Sequence, residues 1–203
     1  VKLHYGLKLV TPPAKEPVSD KEALLHLRIE QDQLADLDLI HALIVAARQW
    51  WENASRFSLI TQTWDITFDA FPFDSFCPLL IPKNPVQAIT SIQYVDTSGV
   101  LRTWDSSEYI VDTASLVARI RPAYGKVWPY PQTRMGSVIV RTRVGYGDSG
   151  AAVPAPMIAG IKLLLGAWYE NREQVVFGKG EAPYEVPFAV DALLNSNRIM
   201  EFS

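Results

Sequence analysis

Gly147-Asp148-Ser149-Gly150 is the string in this chain that most invites a chemical reading. A serine on a glycine-flanked turn can act as a nucleophile when a histidine beside it serves as general base and a carboxylate orients that histidine. His41 precedes the serine in chain order and is the candidate base. It falls within residues 39–45, an apolar stretch expected to be helical, where it reads as a satisfied core histidine. A Gly/Asp/Ser cluster after a strand and shortly before Pro154 is more simply a turn. A serine hydrolase using Ser149 is therefore the minor reading.

The other reactive side chains form no set. His4, His26 and His41 share no metal-ligand spacing with one another or with Cys77. Cys77 lies in Phe76-Cys77-Pro78 with no basic neighbour to activate it, and reads as a small apolar filler. Gly178-Lys179-Gly180 lacks the spacing of a phosphate-binding loop and follows a helix rather than a strand. Asp65 and Asp69 share a strand face, which alone does not make a catalytic pair. No catalytic residue, metal site or cofactor is expected.

The bulk numbers agree with an ordinary globular chain. Of 203 residues, 48% are hydrophobic and 20% charged, and the net charge is −3, so bulk charge would not hold nucleic acid. The single cysteine excludes an intrachain disulfide. The first residues lack the apolar stretch of about 7–15 residues found in a signal peptide. The longest apolar runs, 39–47 and 157–169, are interrupted by His41 and Lys162, and both fall short of the roughly 20 residues a bilayer requires. A soluble, unsecreted protein without membrane contact is expected.

The pattern along the chain changes from helical to strand-like and back. Residues 1–18, with Pro12, Pro13 and Pro17, read as irregular. Ser19 and Glu22 have capping-box spacing and open a short helix. A long helix is expected over 34–55, where Leu37, Ile40, Ile44, Ala47 and Trp51 form one apolar stripe. Leu39, Leu43, Val45, Ala46 and Trp50 widen that stripe beyond one face, so a second face must be buried as well. From 62 to 147 the period is two: Trp64, Ile66 and Phe68 alternate with Asp65, Thr67 and Asp69, and residues 89–95 and 100–104 flank a turn at 96–99. Further strands are expected at 109–111, 117–121 and 137–144. A second long helix over 156–173 carries Ile158, Ile161, Leu165 and Trp168 on its apolar face, and Gly160 and Gly166 suggest another helix passing close. A short helix at 190–195 follows. The fold class is α+β: a helical core (19–61 and 148–173), an inserted small antiparallel β module (62–147) and a C-terminal arm (174–203).

One charge feature exceeds background. No acidic residue occurs from 113 to 147, while Arg119, Arg121, Lys126, Arg134, Arg141 and Arg143 give that window +6, leaving −9 for the rest. Arg119 and Arg121 share one strand face, as do Arg141 and Arg143; Tyr124, Trp128 and Tyr130 lie between the pairs. The bland reading is a solvated sheet face whose arginines pair across strands with Asp65 and Asp69, each pair contributing about 0.2–1 kcal/mol. The functional reading is an acidic surface on another subunit, or DNA. Six phosphate contacts would weaken binding by about a thousandfold between roughly 50 and 200 mM salt, a grip unsuited to a channel through which DNA slides.

Several strings, in their order, resemble the long form of the tailed-bacteriophage head–tail connector (adaptor) family. They are Ala46-Ala47-Arg48 through Glu52, Gln62-Thr63-Trp64, Leu80-Ile81-Pro82, Asn84-Pro85-Val86 before Ile92 and Tyr94, Gly145-Tyr146-Gly147 before Val153-Pro154, and Tyr169-Glu170-Asn171-Arg172-Glu173. The resemblance spans roughly 19–198. It implies a non-enzymatic virion subunit, assembled in the host cytoplasm into a homo-oligomeric ring, commonly a dodecamer. Such a ring docks below the portal protein, extends the DNA conduit without sequence-specific DNA binding, and meets the next neck or head-closure protein. The family's C-terminal segment commonly contacts the portal, which here maps onto Tyr184, Phe188, Leu193, Leu194, Arg198, Met200 and Phe202. Residues 170–203 carry a net −3, opposite to the basic window, and apolar anchors without period often order only against a partner. Candidate inter-subunit residues are Leu39, Leu43, Trp50, Arg119, Arg121, Arg141 and Arg143. The alternative within the same setting is another neck or tail-completion protein.

Overall fold

The computed structural model describes residues 3–29, 36–171 and 188–196. The fold is α+β, with helices and antiparallel sheets. The chain divides into two compact units, each built from two stretches of sequence. The β unit comprises Val1–Ala14 and Thr61–Tyr146; the helical unit comprises Lys15–Ile60 and Gly147–Ser203.

The β unit holds eight strands: β1 (Tyr5–Thr11), β2 (Gln62–Phe68), β3 (Leu79–Leu80), β4 (Val86–Val95), β5 (Leu101–Trp104), β6 (Tyr109–Asp112), β7 (Arg119–Pro122) and β8 (Val138–Val144). Five form an antiparallel sheet in the order β1-β2-β8-β4-β5, and three form a second sheet in the order β3-β7-β6. The period-two pattern translates directly into burial. In β8, Val138, Val140, Thr142 and Val144 point inward, while Arg141 and Arg143 point out. On β2, Ile66 and Phe68 join the same core. Between β4 and β5, the Asp96 carboxylate accepts the Ser98 and Val100 backbone N–H groups at 2.9 Å each, and Gly99 takes the positive φ that the turn demands. Large rings fill the interior: Phe71 stacks on Trp128 at 5.1 Å, and Trp104 lies 5.4 Å from Trp128.

The first eighteen residues are not irregular throughout, because Tyr5–Thr11 forms β1 and pairs antiparallel with β2. The alternation of Tyr5, Leu7 and Leu9 is present in the sequence, but three nearby prolines outweigh it in a local reading. All seven residues of this edge strand are exposed.

The helical unit contains α1 (Asp20–Leu27), α2 (Leu37–Ser55), α3 (Ala155–Glu170) and α4 (Phe188–Ser196). The capping box forms: Glu22 N–H donates to Ser19 Oγ at 3.3 Å, and Ser19 N–H donates to Glu22 Oε2 at 3.0 Å. The inner stripe of α2, Ile40, Ile44, Ala47 and Trp51, is fully buried. In α3 the buried stripe is Met157, Ile161, Leu164 and Leu165, rotated from the expected one, so that Ile158 and Trp168 are only half-buried. Gly160 has the role its type suggested, since a Cβ there would overlap the Trp51 ring, which has no room to move. A buried ion-pair network holds the end of α2. Arg48 donates to Glu16 at 2.7 Å and to Glu52 at 2.9 Å, and Glu52 also accepts the Leu59 N–H at 2.8 Å.

Candidate protein–protein interfaces

The catalytic constellation does not assemble. Ser149 precedes a single 3-10 turn, Gly150–Ala152. A Cβ at Gly150 would overlap the Pro17 carbonyl oxygen, and one at Gly147 would lie 2.6 Å from the Ala152 side chain. The glycines of the tempting string therefore serve close packing. His41 is not a core histidine: one position past the buried Ile40, it turns away from the inner stripe, and its side chain is 58% exposed. Its Nδ1 sits 3.1 Å from Asp20 Oδ1. Among the described residues no hydrogen bond joins it to Ser149, and no group of His, Cys, Asp or Glu is arranged for a metal ion. Cys77 is exposed rather than packed as a filler.

The basic window is split between the two sheets. Arg141 and Arg143 lie on the outer face of the five-stranded sheet. Arg141 grips Asp65 with two hydrogen bonds, 2.7 and 2.8 Å, and these hold the Asp65 carboxyl below its usual range. Arg143 donates to the Gln87 side-chain oxygen at 2.8 Å. Asp69, expected to take an arginine, accepts the Gly136 N–H at 2.8 Å. On the other sheet Arg119 pairs with Asp112 at 2.7 Å. The Ser115 hydroxyl and Arg119 together bring the Asp112 pKa down to about 2. Lys126 pairs with Glu108 at 2.8 Å. Three of the six cations are thus matched by carboxylates of the same unit, which weakens the reading of this window as a DNA grip.

Arg121 is placed differently. Its guanidinium lies 5.8 Å from the centre of the Phe76 ring. Strand register puts Leu80 opposite Arg119 and Ile110 opposite Arg121, on the face away from the buried Leu79 and Ile120. This outer face is apolar and cationic together: Leu80 is 53% exposed, Ile110 59% and Phe76 79%. An open depression of about 300 Å³ runs along it, lined by Ile110, Val111, Asp112, Arg119 and Arg121. The neighbouring loops are tied together by the Trp128 indole N–H, which donates to the Asp74 carbonyl at 3.2 Å. They carry Phe73 and Tyr124 fully exposed. Exposed large side chains gathered in this way mark interaction surfaces. Leu80, Ile110, Phe73 and Phe76 had no visible signal in sequence, because their clustering depends on the register of β3, β7 and β6.

In the helical unit, α2 carries a second stripe: Leu39, Leu43, Ala46 and Trp50 follow helical spacing. Leu39 is exposed and the other three are half-buried, with the exposed Asp38 alongside. The extra width of this helix is therefore only partly covered within the unit. In α4, Leu193 is half-buried, but Leu194 is buried inside the unit and does not present itself to a partner. Phe188 begins α4. Tyr184, Arg198, Met200 and Phe202 lie outside the described residues.

No family model matches the sequence, and no curated protein matches it significantly. Solved structures do. A chain from the neck of an empty gene transfer agent (GTA) particle computed with C6 symmetry superposes with a TM-score of 0.77 at 23% identity, over 98% of this chain and 97% of that one. A chain from the virion of a native GTA particle gives 0.75 at 23% identity, over 97% of each. A chain from the neck of a native GTA particle computed with C12 symmetry gives 0.63 at 22% identity, over 98% and 97%. Over nearly its whole length, this chain has the fold of those particle components.

Proposed function

We propose that this protein is a structural, non-catalytic subunit of the neck of a tailed-phage-like particle. In this reading it is a head–tail connector (adaptor) that forms a homo-oligomeric ring below the portal, lengthens the DNA conduit and receives the next neck protein. The observation that carries the reading is the end-to-end fold likeness to chains of GTA necks and virions. Two of those necks were computed with C6 and C12 symmetry, and a ring repeats one heterologous contact around its axis. The exposed face of β3-β7-β6 and the partly covered second stripe of α2 offer apolar area for such a contact. DNA would pass without sequence-specific binding, in keeping with the internally matched cations. The C-terminal residues Tyr184, Phe188, Leu193, Arg198, Met200 and Phe202 are proposed to meet the portal. Negative-stain imaging of the purified chain with its cognate portal tests the reading. A ring stacked on the portal supports the adaptor role. Binding only to tail ends would assign the chain to tail completion instead.

A further inference from the structure

Counted by unit, the charges are strongly asymmetric. The β unit holds ten Lys and Arg against seven Asp and Glu, a net +3. The helical unit holds nine against fifteen, a net −6. Besides the exposed edge strand β1, each unit has an apolar surface, covered only in part, with charge beside it. On the cationic unit it is the outer face of β3-β7-β6, with Phe76, Leu80, Ile110 and Arg121. On the anionic unit it is the second stripe of α2, with Leu39, Leu43 and Trp50 beside Asp38.

Building on the ring reading, we infer that the Phe76–Ile110–Arg121 face of one copy docks on the Leu39–Leu43–Trp50 stripe of α2 in a second copy. The charges are complementary only in this heterologous sense. β unit against β unit, or helical unit against helical unit, would bring like charge together, which costs affinity and slows encounter. The face also carries an open depression lined by Ile110, Val111, Asp112, Arg119 and Arg121, apolar and charged together, as a helix bearing Leu39 beside Asp38 would meet. Size is adequate. Aromatic side chains bury about 150–250 Å² each, so Phe76, Phe73 and Tyr124 with Leu80 and Ile110 come close to the roughly 800 Å² per partner of a standard interface. Arg121, held against Phe76, has the residue type and apolar setting of an interface hot spot. A contact in which each copy uses two different surfaces propagates, and gives a ring when its rotation closes.

Cys77, the sole cysteine, stands exposed next to Phe76 and serves as a native probe. In the dilute wild-type monomer a maleimide should modify it readily; in the assembled particle, alone or on the portal, modification should slow by about tenfold or more. Ile110→Asp and Leu39→Asp, each checked for folding by circular dichroism, should both stay monomeric. Mixed, they should form a dimer and nothing larger, since one intact face remains on each, and native mass spectrometry reads this directly. Assembly of wild type with Cys77 still reactive would overturn this contact and leave the ring reading standing. Assembly by either variant alone, or no dimer from the folded mixture, would overturn it too, as would protection of Cys77 only on adding a protein other than the portal. A wild type that never self-associates, even with portal, would overturn the ring reading itself.

Discussion

Two buried residues in the helical unit, Gly160 and Arg48, carry consequences out of proportion to their size. Gly160 lets α3 approach the Trp51 ring of α2. Alanine is the better helix former by about 1 kcal/mol, but overpacking against an immobile indole costs about 1–3 kcal/mol. Gly160→Ala should therefore give no gain and up to about 2 kcal/mol of loss in a urea titration, whereas the same change at Gly166, whose nearest neighbour would be His26 Nε2 at 3.7 Å, should not. Arg48 is the cation between Glu16 and Glu52, and its side chain is 8% exposed. Arg48→Ala removes the cation from both carboxylates, and removing one member of a buried pair costs about 3–5 kcal/mol. The midpoint of chemical denaturation should fall accordingly. At Ser149, by contrast, no bond to a histidine is present among the described residues.

The turn between β6 and β7 depends on Asp112. Its carboxylate accepts from the Ser115 hydroxyl at 2.8 Å, the Ala114 N–H at 2.9 Å and Arg119 at 2.7 Å, and its pKa is lowered to about 2. An unfolded aspartate titrates near about 3.9. Because the folded value is the lower one, the carboxylate's contribution is fully present above the unfolded value and is lost as pH falls through about 2. A carboxyl-carbon NMR titration should find the Asp112 midpoint near that value, and Ser115→Ala should move it upward. An unshifted wild-type midpoint would mean that the turn is not held in this way in solution.

For the molecule as a whole, the opposite charges of the two units make association sensitive to ionic strength. The screening length shrinks from about 10 Å at 0.1 M salt to about 3 Å at 1 M. Self-association measured by sedimentation should weaken across that range. Strengthening with salt would indicate that apolar contact alone drives assembly.

Many elements rest on local patterns: the capping box at Ser19, the inner stripe of α2, the hairpin turn at Asp96 and the alternation of β8 are set by local sterics and periodicity. β1 was legible in principle but was masked by the neighbouring prolines. Which faces remain uncovered depends on how distant segments pair and pack. Sequence placed Arg119, Arg121, Arg141 and Arg143 in one basic window, yet pairing sent them to two sheets, one pair beside Phe76, Leu80 and Ile110, the other against Asp65 and Gln87. His41 likewise looked interior because its neighbours in sequence are apolar, and one step of helical rotation put it outside. Periodicity tells which side of an element a residue occupies; only the non-local register tells whether anything covers that side.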